Sequence, residues 1–180
     1  MNNETYKITI AGLERELKLY PVSDKLDIAA FILFGDVEIT VAAATELLKR
    51  VPDFDVILTP EAKSIPLAYE LSRQSGKRYV VARKGTKVYM SHPLCVNVKS
   101  ITTDHEQKLY LGQEDVEHIE GKRVLIVDDV VSTGESLDAV RELVKEAGGK
   151  EAASCFVLAE GDAAERKDVI FLQKLPLFFK

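Results

Sequence analysis

The sequence predicts an α/β fold built on a parallel sheet, and two observations carry that prediction. Short runs of strand length, Asp55 to Thr59, Val124 to Val127 and Ser154 to Ala159, are apolar almost throughout rather than alternating, as strands buried on both faces must be. Segments with apolar residues at helical spacing lie between such runs, which gives the strand-helix-strand order of parallel sheets. At 180 residues, 46% hydrophobic and 29% charged, the chain suits one globular domain with a full core and excludes disordered or fibrous classes.

Residues 6 to 20, YKITIAGLERELKLY, alternate apolar and polar on both sides of Ala11-Gly12 and predict two antiparallel strands joined by a tight turn. From Thr40 to Arg50, Val41, Ala44, Leu47 and Leu48 recur at helical spacing, and Pro52 ends that helix. The strand Asp55 to Thr59, a turn at Pro60 to Ser64, a helix to Ser75, Gly76 and a strand Tyr79 to Arg83 follow in order. Residues 84 to 123 interrupt the rhythm. Val96 to Thr103 and Lys108 to Leu111 predict a hairpin whose tip, Thr102 to Lys108, is expected to move. Val124 to Val127 then predicts the central strand. A helix over 135 to 147 places Leu137, Val140, Val144 and Ala147 on one face and stops at Gly148-Gly149. After the strand Ser154 to Ala159 the chain ends in a mixed tail.

The segment Val124 to Ser136, VLIVDDVVSTGES, carries the chemistry. Asp128 and Asp129 fall at the carboxyl end of a parallel strand, where such sheets bind ligands, and paired carboxylates accept hydrogen bonds from a vicinal diol such as that of ribose. Ser132, Thr133, Gly134 and Ser136 bring hydroxyls and backbone N–H groups to a helix start, where the dipole favours a phosphate monoester. Diol and phosphate together describe ribose 5-phosphate. A receiver domain also pairs acids after a strand, but too few residues follow Asp129 for its remaining strand-helix units. Neither GxxxxGK[ST] nor GxGxxG occurs.

This run resembles the 5-phosphoribosyl 1-pyrophosphate (PRPP) motif of the type I phosphoribosyltransferases. The resemblance implies that Asp128 and Asp129 hold the ribose hydroxyls and a Mg²⁺ ion, and that Val131, Ser132, Thr133, Gly134, Glu135 and Ser136 hold the 5-phosphate. Thr59 to Ser64, TPEAKS, resembles the family's pyrophosphate loop, with Glu61, Ala62 and Lys63 matching and Ser64 replacing a glycine. Arg83 and Lys84 resemble the Arg-Lys pair of adenine phosphoribosyltransferases, and Lys87 lies three residues further on; these cations are expected to face the pyrophosphate. Phe31 to Val37, FILFGDV, resembles the adenine enzymes' base segment, which makes Phe34 the base-stacking residue, with Gly35 in place of their arginine. Residues 96 to 111 instead resemble the hairpin of xanthine phosphoribosyltransferases. The family comparison also places a catalytic acid of the adenine enzymes in the hairpin tip, where Asp104, His105 and Glu106 read as a solvated polar cluster.

The fold implied is a doubly wound parallel sheet, one domain over 1–180, with 1–35 and 160–180 contributing a small hood. The activity implied is Mg²⁺-dependent transfer of ribose 5-phosphate from PRPP to a purine, adenine first, by a homodimer. A regulatory protein of the same fold that binds PRPP without turnover is the alternative; such relatives add a DNA-binding domain, whereas here the residues before the first sheet strand read partly as β. Twenty-nine acidic against twenty-four basic residues argue against nucleic acid or an anionic membrane as partner. His92, His105 and His118 lack metal-ligand spacing, and the two cysteines, Cys95 and Cys155, are too far apart for a zinc ribbon. No apolar run reaches the roughly 18 residues of a membrane span and no leader precedes the first strand, so the cytoplasm is the expected compartment.

Overall fold

The computed structural model describes residues 4–98 and 107–180. Residues 99–106, with the predicted hairpin tip and its Asp104, His105 and Glu106, lie outside the described residues.

The chain opens with β1 (Thr5–Ile10) and β2 (Leu13–Ser23), antiparallel with Ile10 opposite Leu13. The two residues between them, Ala11 and Gly12, both take positive φ, +50° and +82°, the conformation whose twist matches a two-residue hairpin. β3 (Leu26–Ala29) adds to β2, and the carboxyl-terminal β11 (Phe178–Phe179) adds to β3, giving a four-stranded antiparallel hood.

α1 (Val37–Leu48) begins three residues before the sequence pattern places it, because Asp36 caps it: the Asp36 carboxylate accepts from Ile39 N–H at 3.1 Å. Its buried side is Ile39, Ala43, Ala44 and Leu47, while Val41 is exposed. The chain then runs through β4 (Val56–Pro60), α2 (Ile65–Ser75) and β5 (Arg78–Ala82). The hairpin β6 (Leu94–Val98) and β7 (Gln107–Leu111) is antiparallel as expected, with Lys108 opposite Asn97. A short helix, α3 (Gln113–Ile119), follows; it buries only Ile119 fully and gave no periodic signal. The remainder is β8 (Arg123–Val131), α4 (Glu135–Glu146), β9 (Lys150–Glu160), a 3-10 turn (Gly161–Glu165) and β10 (Ile170–Leu175).

The central sheet has the order β10-β9-β8-β4-β5 with every neighbouring pair parallel, so β8 is its middle strand. Its residues divide between two cores. Leu125 and Val127 pack with α1, α2 and the hood, whereas Val124 and Ile126 pack with α3, α4 and the hairpin. This two-sided burial is why the strand reads as an unbroken apolar run, and each such side chain contributes about 1.5–3 kcal/mol. Residues 160–180 are divided between the sheets: β11 joins the hood, while β10 runs parallel to β9 at the edge of the central sheet. Its half-exposed sequence, IFLQKL, shows no strand period. No helix among the described residues is long and apolar enough to cross a membrane.

The winding reverses between β4 and β8. From β4 the chain steps outward to β5, and from β8 it steps the other way to β9 and β10. β4 and β8 pair only from Val56 with Val124 to Leu58 with Ile126, yet β4 continues beside β5 to Pro60 and β8 beside β9 to Val131. Beyond Leu58 the two strands part. A crevice therefore opens at their carboxyl ends, the position where doubly wound sheets bind ligands.

Candidate active site

β8 delivers two adjacent carboxylates into the crevice. Asp129 N–H donates to Asp128 Oδ1 at 2.9 Å, so the first side chain is fixed by the backbone of the second. Asp129 is only 3% exposed, and its Oδ2 has no hydrogen-bond partner among the described residues. Lys63 Nζ stands 3.2 Å from that oxygen, at ion-pair distance but without hydrogen-bond geometry. Burial pushes the Asp128 carboxyl up to about 7, and the charge of Asp129 pushes the same way. An acid so poised sheds its proton readily when a cation or a pair of hydroxyl donors arrives.

Next to the dyad, Val131 to Ser136 turn into α4. Gly134, the N-cap, has φ +90°, a conformation that favours glycine. The first intrahelical bond runs from Asp138 N–H to Gly134 O at 2.9 Å. The N–H groups of Ser136 and Leu137 precede it and have no intrahelical acceptor, which leaves them for an anion. Ser132, Thr133 and Ser136 are exposed beside these amides, around about 50 Å³ of open space. Val131 is buried in the core and can offer only its backbone; Glu135 is half-buried at the helix start.

Across the crevice, Glu61 to Ser64 link β4 to α2, and the Glu61–Ala62 peptide is cis. Glu61 ties this loop to the end of β5. Its N–H donates to Ala82 O at 2.9 Å, its carboxylate accepts from Lys84 N–H at 2.9 Å, and Arg83 Nε lies 3.4 Å away. The Lys84 N–H first, and then the charges of Arg83 and Lys87, hold the Glu61 carboxyl below its usual range against the effect of burial. Ser64 is fully buried with its hydroxyl 2.7 Å from Thr59 Oγ1 and 3.3 Å from Pro60 O, and the same hydroxyl faces the Asp128 carboxylate, where it partly offsets the upward push of burial. Ala62 and Lys63 are exposed at the crevice edge. Arg83 exchanges two backbone hydrogen bonds with Tyr110, 2.9 and 2.8 Å, which fastens the β6–β7 hairpin to the end of β5. Lys84 and Lys87 are solvent-exposed just beyond.

The structure therefore gathers the dyad, the 131–136 turn and Lys63 around one crevice, with Glu61, Arg83, Lys84 and Lys87 clustered at its β5 side. Phe34 belongs to the segment that joins the hood to α1. It is 55% exposed on the turn before α1, while Phe31 and Leu33 of the same segment are buried. Arg15 of β2 grips Asp36 through hydrogen bonds of 2.7 and 3.0 Å, so this segment is held between hood and sheet with Phe34 turned outward.

Two further residues at this end of the sheet have no motif to announce them. Glu160 ends β9; burial raises its carboxyl while the charge of Lys63 lowers it, which places the two in electrostatic reach. Arg166, directly after the 3-10 turn, lies against Gly134. Both stand in a stretch, EGDAAERKD, whose mixed charges read as an ordinary solvated loop.

The crevice at the switch point of this parallel sheet thus brings paired acids beside an open helix start. Residues 37–177 match the family model of the phosphoribosyl transferase domain, and the chain belongs to that family. An adenine phosphoribosyltransferase of Pseudothermotoga lettingae is 33% identical over 109 residues, 59% of this chain and 59% of that one. A hypoxanthine/guanine phosphoribosyltransferase of Methanotorris igneus is 33% identical over 156 residues, 86% of this chain and 78% of that one. The chain thus spans about three fifths of the adenine relative and more of the hypoxanthine/guanine one. The crystal structure of adenine phosphoribosyltransferase from Thermoanaerobacter pseudethanolicus has the same fold, with a TM-score of 0.73 at 23% identity, covering 88% of this chain and 95% of that one.

Proposed function

We propose that this chain transfers the 5-phosphoribosyl group of PRPP to a purine base, adenine first, and releases pyrophosphate. The observation that carries the reading is the crevice between β4 and β8, with the Asp128–Asp129 pair on one wall, the 131–136 anion turn beside it and the Lys63 loop opposite.

In this reading Asp128 and Asp129 accept the ribose 2- and 3-hydroxyls, the N–H groups of Ser136 and Leu137 with the hydroxyls of the turn hold the 5-phosphate, and the backbone of Ala62 to Ser64 receives the pyrophosphate. Lys63, parked against Asp129 without ligand, is released toward the pyrophosphate once the ribose occupies the dyad. Arg83, Lys84 and Lys87 add positive charge at the end of β5. The bond from ribose C1 to the pyrophosphate oxygen breaks as the bond to the purine nitrogen forms, positive charge develops on the ribose, and the proton that this nitrogen carried passes to the departing pyrophosphate. The fixed carboxylates below the ring favour that charge, and the cations opposite favour the departing diphosphate.

The two carboxylates suit Mg²⁺, which takes one or two protein carboxylates and completes its shell with substrate oxygens and water. Asp129 Oδ2, buried without a hydrogen-bond partner and 3.2 Å from Lys63 Nζ, is a donor atom of that kind, and no cluster of three or more ligating side chains occurs among the described residues to suggest an all-protein cage. When bound with PRPP, Mg²⁺ would neutralise charge on the diphosphate.

A purine acceptor is supported by relatives named for adenine and for hypoxanthine/guanine. The outward Phe34 is proposed as a stacking surface for the base. We further propose a homodimer, to be read by sedimentation, and a reducing cytoplasmic setting, in keeping with the free thiols of Cys95 and Cys155. The test of the function is pyrophosphate release from PRPP and Mg²⁺ with a panel of purine and pyrimidine bases. Turnover with adenine or a 6-oxopurine supports it, and turnover of orotate or uracil alone overturns the purine assignment.

A further inference from the structure

The anion turn lacks a cation of its own. Val131 to Ser136 contains no lysine or arginine and includes the acid Glu135, so a phosphate dianion there meets only backbone N–H groups, hydroxyls and a helix dipole. The cations of the opposite wall are engaged elsewhere, Lys63 with Asp129 and Arg83 with Glu61.

Arg166 occupies the missing place. A Cβ built on Gly134 would come within 2.3 Å of Arg166 Nη1, so the guanidinium fills the space that any side chain at 134 would need. The rest of the guanidinium is braced. Nε and Nη2 donate to the two oxygens of Asp168 at 2.9 and 2.7 Å, and Asp168 also accepts from Arg141 Nη1 at 2.9 Å. Arg141, on α4, is fixed in turn by two hydrogen bonds to Glu151, 2.9 and 3.0 Å. The helix whose first turn forms the anion site thus also anchors the arginine beside it. Nη1 alone has no acceptor among the described residues. Asp168 satisfies the far edge of this guanidinium and the charge of Asp138, in the first turn of α4, also reaches it, while Nη1 is the nitrogen turned toward Gly134 and the helix start.

We propose that Arg166 is a binding residue for the 5-phosphate, donating from Nη1 to the phosphate monoester held by residues 131–136. The proposal rests on the PRPP reading above and adds to it a residue outside the recognised turn. Arg166 supplies the full charge that the turn lacks, and the Asp168–Arg141–Glu151 chain keeps it in place before ligand arrives, so little order has to be gained on binding.

The test compares wild type, Arg166→Gln and Lys167→Gln by calorimetric titration with ribose 5-phosphate and, separately, with inorganic pyrophosphate, each beside a thermal melt. Loss of one charge-assisted hydrogen bond should weaken ribose 5-phosphate binding by about 10- to 100-fold in Arg166→Gln. Pyrophosphate affinity should stay within about threefold, and the exposed neighbour Lys167 should not matter. Unchanged ribose 5-phosphate affinity in Arg166→Gln, or a loss confined to pyrophosphate, overturns the proposal. Should Arg166→Gln not fold, the Arg166 guanidinium ¹⁵N resonances of the wild type decide: they are expected to shift with ribose 5-phosphate and not with pyrophosphate, and no shift overturns the proposal. Wild type that binds neither PRPP nor ribose 5-phosphate would instead remove the proposed function itself.

Discussion

Asp129→Asn keeps the size and shape of the side chain and removes one charge from the β8 pair. Asn retains an acceptor oxygen, but the bond to a ribose hydroxyl or a bound cation loses its charge assistance, worth roughly 1.5–3 kcal/mol. PRPP affinity in Mg²⁺ is therefore expected to fall by about 10- to 100-fold. The fold should be nearly unaffected for two opposing reasons. The substitution removes the ion pair to Lys63 at 3.2 Å, and an ion pair to so exposed a lysine contributes at most about 1 kcal/mol. It also relieves the repulsion that Asp129 exerts on Asp128. Calorimetric titration with PRPP and Mg²⁺, run beside a thermal melt, reads both quantities. Unchanged affinity, or a large drop in melting temperature with affinity intact, would show that the paired acids serve the structure and refute the reasoning.

Asp128 should make the ligand-free protein less stable as pH rises. Its folded carboxyl, at about 7, binds protons more tightly than the unfolded one, so its contribution is complete below pH 4, is lost between about pH 4 and 7, and is flat above. Asp128→Asn should accordingly gain stability over wild type at pH 8 but not at pH 4, on the order of 1–4 kcal/mol, and a difference independent of pH would contradict this. Gly134→Ala must carry φ +90° and displace Arg166; a loss of about 1–3 kcal/mol in stability is expected. Ribose 5-phosphate binding should weaken with it, and titration showing full affinity would count against the anion turn. Asp36→Ala removes both the α1 cap and the Arg15 pair, and should cost about 1–3 kcal/mol in a melt. Ribose 5-phosphate affinity should remain within about threefold, and a larger loss would tie the segment before α1 to the phosphate site.

The parts of the fold legible in the sequence are those set by two-sided burial. Val124 to Val127 reads as a central strand because alternate residues enter different cores, and neither face tolerates a polar group. The hairpin at Ala11-Gly12 is visible through the alternation on either side of it and through Gly12 at φ +82°, and the turn at Gly134 through a glycine at φ +90°. α3 and β10 are not, since each buries too little to impose a period: only Ile119 of α3 is fully enclosed, and β10 is an edge strand with mixed exposure.

In the candidate site, the motif places Asp128, Asp129 and the anion turn, but it cannot show what each side chain of the neighbouring loop does. Glu61 accepts from Lys84 N–H and Ser64 turns inward to Thr59, and these are consequences of packing between β4 and β5. Arg166 is hidden for a related reason. Its position depends on Asp168 and Arg141, which the folded chain brings together from opposite ends of β9.

Pyrophosphate release measured with PRPP, Mg²⁺ and each of adenine, hypoxanthine, guanine, orotate and uracil, with Asp129→Asn as control, bears most directly on the site. Purine-dependent release, greatest with adenine and sharply reduced in the variant, is the expected result. Tight PRPP binding with no release for any base would mark a non-catalytic sensor, and release that Asp129→Asn leaves unchanged would place the chemistry elsewhere than the crevice between β4 and β8.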